Sequence, residues 1–154
     1  MRKLVLISIS VLIFANVAHA DFFANLQSSN DADPCSPAIG HWSGGGPVET
    51  KNHLVKCNYH GEVDIVNAAQ PGAVKVHVDL RRDGGSELCP SHETEDLPGV
   101  CSNGNLILKT NDADLKGSLN SAGTQAVITG SVSFVVDIIG KVTVLVKELK
   151  LNKQ

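Results

Sequence analysis

The sequence predicts an all-β protein: an antiparallel up-and-down meander of about seven or eight strands, closed or nearly closed into a barrel. A two-sheet β-sandwich is the alternative. Three observations carry this. Apolar residues recur at every second position in one segment after another, which is the period of a half-buried strand. The segments are separated by short clusters of Gly, Pro, Asn and Asp, the residues that turns require. No stretch of ten or more residues carries a helical apolar stripe, and no repeat of 20–50 residues occurs. At 154 residues, with 42% hydrophobic and 19% charged side chains, the chain suits one folded domain rather than a disordered tail. A meander leaves two unpaired edges, and closing the sheet into a barrel hides them.

Residues 1–20 read as a secretory signal peptide. Arg2 and Lys3 precede the apolar run 4–15, and Ala18-His19-Ala20 supplies the small residues of a cleavage site. The run is too short to span a bilayer as a helix. Residues 21–37 form a polar lead-in with Phe22, Phe23 and Leu26 as its apolar anchors, and 38–154 is expected to be the single β-barrel domain. Its first strand opens at Ile39-Gly40-His41-Trp42, and the glycines 44–46 suggest a turn. Val55, Cys57, Tyr59, Gly61, Val63 and Ile65 then share one parity against Leu54, Lys56, Asn58, His60, Glu62 and Asp64, with Gly61 suggesting a bulge or bend. Gln70-Pro71-Gly72 is a turn. Val74, Val76, Val78 and Leu80 alternate with Lys75, His77, Asp79 and Arg81 until Asp83-Gly84-Gly85. Residues 83–104 read as a long loop. Leu106 and Leu108 start another strand, Leu115-Gly117-Leu119 the next, and Asn120-Ser-Ala-Gly123 is a hairpin turn. Ile128, Gly130, Val132, Phe134 and Val136 line one face. After a turn at Gly140 the apolar positions are Val142, Val144 and Val146, then Leu149 and Leu151; this change of parity predicts a bulge near Lys147.

Four cysteines, Cys35, Cys57, Cys89 and Cys101, lie beyond the signal peptide. An even count in an exported small domain reads as two disulfides. Three pairings are possible. The polar run from Cys89 to Cys101 looks like a loop tied at its ends, which favours Cys89–Cys101 and leaves Cys35–Cys57. Cys57-Asn-Tyr-His60 and Cys89-Pro-Ser-His92 share a C-x-x-H spacing, but the further ligands of a zinc site at set spacings are missing, so no metal is expected.

Gly40-His41-Trp42 at the start of the first strand of a β-meander resembles the G-x-W signature of the lipocalin-like (calycin) barrels. The resemblance implies an up-and-down barrel whose floor Trp42 closes.

The chemistry legible in the side chains points to binding. The serine-nucleophile patterns G-x-S-x-G and S-x-x-K and the metalloprotease pattern H-E-x-x-H are not present. Glu93, Glu95 and Asp96 cluster beside His92, but such a run is more often solvated than catalytic. Asn-Asp-Ala-Asp occurs at 30–33 and 111–114 and reads as turn chemistry. A net charge of −3 with one Tyr and one Trp provides neither a basic face nor stacking platforms for nucleic acid. The expectation is therefore a periplasmic or secreted, non-catalytic barrel without a cofactor, not membrane-spanning once the signal is cleaved. It would hold a small apolar or amphipathic ligand in an interior that includes Trp42, Tyr59, Val76, Val78, Ile128 and Phe134. The alternative is a protein-interaction module, such as an inhibitor of a secreted hydrolase or an envelope accessory protein, that uses the tied loop 89–101 and the glycine-rich turn 44–46.

Overall fold

Alternating apolar residues fold into strands because only a pleated backbone puts every second side chain on the same face. The structure, a computed structural model, describes residues 33–102, 104–136 and 140–154. The signal-peptide reading and residues 21–32 of the lead-in lie outside the described residues. Eight strands follow in order: β1 Gly40–Thr50, β2 Lys56–Asn67, β3 Ala73–Gly85, β4 His92–Ser102, β5 Asn105–Lys109, β6 Ala113–Leu119, β7 Gln125–Val136 and β8 Gly140–Lys153. Each pairs antiparallel with the next, and β8 pairs with β1, so the sheet is a closed up-and-down barrel and not a sandwich.

The expected parities are the ones that turn inward. On β2, Cys57, Tyr59, Val63 and Ile65 are buried while Lys56, Asn58 and His60 are exposed. On β8, Val144 and Val146 are buried, then Leu149 and Leu151. The switch is a bulge: Ile128 faces Leu149 and Gly130 faces Val146, so β8 spends one residue more than β7 over that interval. The turns at 70–72 and 120–123 join β2 to β3 and β6 to β7, with Gly72 and Gly123 at positive φ of 74° and 66°.

Three local expectations are corrected. The glycines 44–46 are not a turn but the middle of β1. A side chain on Gly45 would run into the Tyr59 carbonyl, and one on Gly44 into the Lys150 carbonyl, so glycine is there for close backbone approach. Gly61 is not a bulge, because the register with β1 and with β3 runs through it unbroken. The bulge in this hairpin is at Asp83, between the pairs Tyr59–Arg82 and Asn58–Gly84. Most of the expected loop 83–104 is strand: β3 runs to Gly85, and β4 begins at His92.

The disulfide pairing is also corrected. Cys35 is bonded to Cys101 and Cys57 to Cys89. The reason is the strand that the loop became. β4 has 11 residues, roughly 36 Å of extended chain at about 3.3 Å per residue. Cys89, just before it, and Cys101, near its far end, therefore sit at opposite ends of the barrel. β1 separates Cys35 from Cys57 in the same way. Each end receives one staple. Two disulfides point to an oxidising environment.

At the Cys35 end the chain enters through hydrogen-bonded turns. Asp33 Oδ1 accepts from the Cys35 amide at 2.9 Å, and the Cys35 carbonyl accepts from Ala38 N at 2.8 Å. Trp42, only 1% exposed, packs here, and its indole N–H donates to the Ala38 carbonyl at 2.8 Å. The Lys153 ammonium lies 5.4 Å from the centre of the indole ring and donates to the Pro37 carbonyl at 3.1 Å. Gly40, at φ 136°, leaves the space that the Lys153 stem crosses. At the other end, the loop from 86 to 91 is held by the Arg82 guanidinium, which donates to the carbonyls of Ser86 and Cys89, and by the Tyr59 hydroxyl, which donates to Pro90 O at 2.8 Å.

Candidate functional site

An eight-stranded barrel is either filled by its side chains or holds one small ligand, and the inward-facing side chains here are mostly Val, Leu and Ile. They leave a cavity of about 170 Å³. Five of the six residues expected inside line it: Tyr59, Val76, Val78, Ile128 and Phe134. Trp42 does not; it is buried at the end of the barrel where β1 begins, with its indole bonded to the Ala38 carbonyl. Sequence reasoning missed three polar wall residues, Glu93, Glu95 and Ser133.

The wall of the barrel is not level. β4 pairs with β3 from His92 to Val100, but with β5 only from Gly99 to Ser102. β7 pairs with β8 up to Val136, but with β6 only up to Val132. The β3–β4 and β7–β8 hairpins thus rise above the short β5–β6 hairpin and leave a notch over its turn. That turn is built by Thr110, whose hydroxyl accepts from the amides of Asp112 and Ala113 at 3.1 and 2.9 Å. Asn111 and Asp112 lie in this turn, but the side chain that shapes it is Thr110's, and Ala113 and Asp114 already belong to β6. Asp112 ties the turn to the β7–β8 side: its carbonyl accepts from Ser133 N at 2.7 Å, and its carboxylate pairs with Lys141 at 2.6 Å. The other flank is open. From His92 to Leu97 the β4 backbone has a ladder partner on its β3 side only. Exposed Glu93 and Glu95 on this flank, and half-buried Val132 and Phe134 on the other, mark where the cavity meets solvent.

Glu93, Glu95 and Leu97 share the inward parity of β4. Neither glutamate has an ion-pair or hydrogen-bond partner among the described residues; the base that acts on Glu93 is His92, whose imidazole is paired with Asp79 at 2.9 Å. Partial burial, and then the neighbouring Glu95 charge, push the Glu93 carboxyl above the usual carboxylate range. Burial, then the negative charge of Glu93, also raise the Tyr59 phenol. The cavity is apolar along its length and negative at its mouth.

The outer wall holds different chemistry. His41, Asp64, His77 and Asp96 lie opposite one another across β1 to β4 and form a lateral row of alternating base and acid. His41 Nδ1 is 2.7 Å from Asp64 Oδ1, and His77 Nδ1 is 2.7 Å from Asp96 Oδ1. The hydrogen bond to Asp64 raises the His41 imidazole above its ordinary value. His60 pairs with Asp83, and His92 with Asp79 at 2.9 Å. Among the described residues, no three His, Cys, Asp or Glu side chains are arranged to hold a metal ion.

Glu49 is the most strongly perturbed acid. It is 9% exposed, between Lys147, His53 at 3.0 Å and Lys56 at 3.9 Å. Hydrogen bonds from Lys147 and His53 lower its carboxyl from 4.5 to about 2. A depressed acid contributes stability that is fully present above its unfolded value and lost as pH falls through its folded value. Acid titration of stability is therefore expected to show a loss between pH 4.5 and about 2 that is absent from Glu49→Gln, with unfolding followed by circular dichroism at each pH. Equal slopes for both proteins would contradict the assignment.

Comparison with family models, curated proteins and solved structures finds no match to this chain.

Proposed function

We propose that this is an exported, non-catalytic, lipocalin-like binding barrel that holds a small apolar or amphipathic ligand in its interior. The observation that carries the reading is the apolar cavity of about 170 Å³ with an opening at the notch. Size narrows the ligand. An engineered apolar cavity of about 150 Å³ stays dry and takes benzene, whereas drug-sized ligands need about 300–1,000 Å³. The interior therefore fits one ring or a short aliphatic chain, not a whole lipid tail. The signal-peptide pattern and the two disulfides support export. The charged row on the outer wall contrasts with the apolar band of a lipid-facing barrel. The interaction-module reading drew on a tied loop at 89–101 and a turn at 44–46. Residues 92–101 and all of 44–46 are strand, which takes away the observation that favoured it.

Toluene at 100 times its dissociation constant is expected to stabilise the native state by about 2.7 kcal/mol, read as a rise in melting temperature. In Val78→Phe, where a ring occupies the half-buried upper part of the cavity, the rise should be much smaller. No rise in the wild type would contradict the reading, as would an equal rise in both proteins.

A further inference from the structure

We propose that the cavity selects cationic amphiphiles: a single ring or short alkyl chain bearing an ammonium or amidinium head, with the apolar part inside the barrel and the head between Glu93 and Glu95 at the mouth. The inference rests on the binding reading above and adds the charge of the ligand to it.

The cavity itself defines the site, and its wall dictates the two-part ligand. Residues such as Leu106, Leu108, Leu115 and Ile128 offer the body no hydrogen-bonding side chain. The mouth offers two carboxylates on alternate residues of one strand, Glu93 and Glu95, both turned to the inner side and both part of the cavity wall. Most exposed acids of this barrel sit beside a base: Asp64 by His41, Asp96 by His77, Asp79 by His92, Asp83 by His60, Asp114 by Lys109. Glu93 and Glu95 have no ion pair or hydrogen bond among the described residues: the nearby His92 imidazole lowers Glu93 only from a distance and is itself paired with Asp79, and both glutamates line the cavity. Their mutual repulsion, and the partial desolvation of Glu93, are relieved by a cation placed between them. An anionic head would add to the repulsion, and a neutral head would leave it in place. Inward-pointing charge on an unpaired strand also discourages edge-to-edge pairing. That role alone predicts no preference among ligands, which makes the two readings separable.

The test uses three probes that share a ring and differ in the head: benzylamine, benzyl alcohol and benzoate, with toluene as the headless reference. Binding is followed by calorimetry at pH 7. Each partly exposed ion pair is worth a fraction of a kcal/mol to about 1 kcal/mol, so benzylammonium should bind about 3–10-fold more tightly than benzyl alcohol at low salt. Benzoate should bind most weakly. The preference should shrink in 1 M salt. In Glu93→Gln/Glu95→Gln the ratio of amine to benzyl alcohol affinity should fall to about one, whatever the change in either affinity alone. The salt dependence of the wild type tests the same point without a variant. If toluene and benzyl alcohol bind but the amine binds no more tightly, or benzoate binds best, charge selection is overturned while the cavity reading stands, and the glutamates are edge guards only. If none of the four binds, the cavity reading fails and takes this inference with it.

Discussion

With Cys35 and Cys101 both replaced by serine, the protein is expected to lose about 4 kcal/mol of stability. The bond closes a loop with a sequence separation of 66 residues, and on the chain-entropy account the cost of opening it grows with the logarithm of that length. The packing argument points the same way. Cys35 is fully buried and holds the entering chain against the end of β4. Guanidinium titration with the other bond intact measures the loss. Removing Cys57 and Cys89, separated by 32 residues, should cost a little less. Both are large against the 5–15 kcal/mol that a whole domain has. Peptide mapping of the oxidised protein that recovered Cys89 joined to Cys101 would contradict the arrangement.

Gly61→Ala is expected to destabilise by about 3 kcal/mol or more, at the upper end of what overpacking costs. The sign is the informative part. Glycine inside a strand ordinarily costs about 0.5–1 kcal/mol relative to alanine, so the substitution should normally help. At Gly61 the added methyl meets the carbonyl of Asp79, a backbone atom of β3 that can retreat only if the β2–β3 ladder opens. Gly84 is the control, because a methyl there meets nothing within 4 Å; Gly84→Ala should stay within about ±0.5 kcal/mol. Chemical denaturation of the two variants in parallel checks the contrast, and a stabilised Gly61→Ala would contradict the close approach.

Both predictions turn on features that alternation alone does not encode. The barrel was legible because Val74, Val76, Val78 on β3 and Val144, Val146 on β8 each keep a clean period of two, and because the parity change before Leu149 could only be a bulge. β4 was hidden for a physical reason. Its inward positions are Glu93, Glu95, Leu97, Gly99 and Cys101, so the first two inward residues are charged and the fourth has no side chain. The strand therefore reads as a polar loop. Pro98 adds to the disguise, and it is tolerated where the β5 ladder stops. Read as a loop, residues 92–102 make Cys89 and Cys101 look like neighbours. Counting Leu97, Gly99 and Cys101 as one parity would have exposed both errors. The glycines of β1 misled in the opposite way: a Gly run marks close backbone approach as readily as it marks a turn, and only the coordinates of Tyr59 and Lys150 decide between them. The cavity residues Tyr59, Val76, Val78, Ile128 and Phe134 follow from parity alone. The acidic mouth does not, because it depends on β5 and β6 being shorter than the hairpins that flank them.

The claim on which the rest depends is that the barrel interior is a space an apolar guest can occupy. Diffraction from crystals pressurised with xenon tests it most directly, since xenon settles in apolar cavities of this size without needing any head group. The expected result is one strong xenon peak inside the sheet, bounded by Leu106, Leu108 and Ile128 and weakened or displaced in Val78→Phe. Side chains closed on one another at that place, with no xenon between them in the wild-type protein, would contradict it.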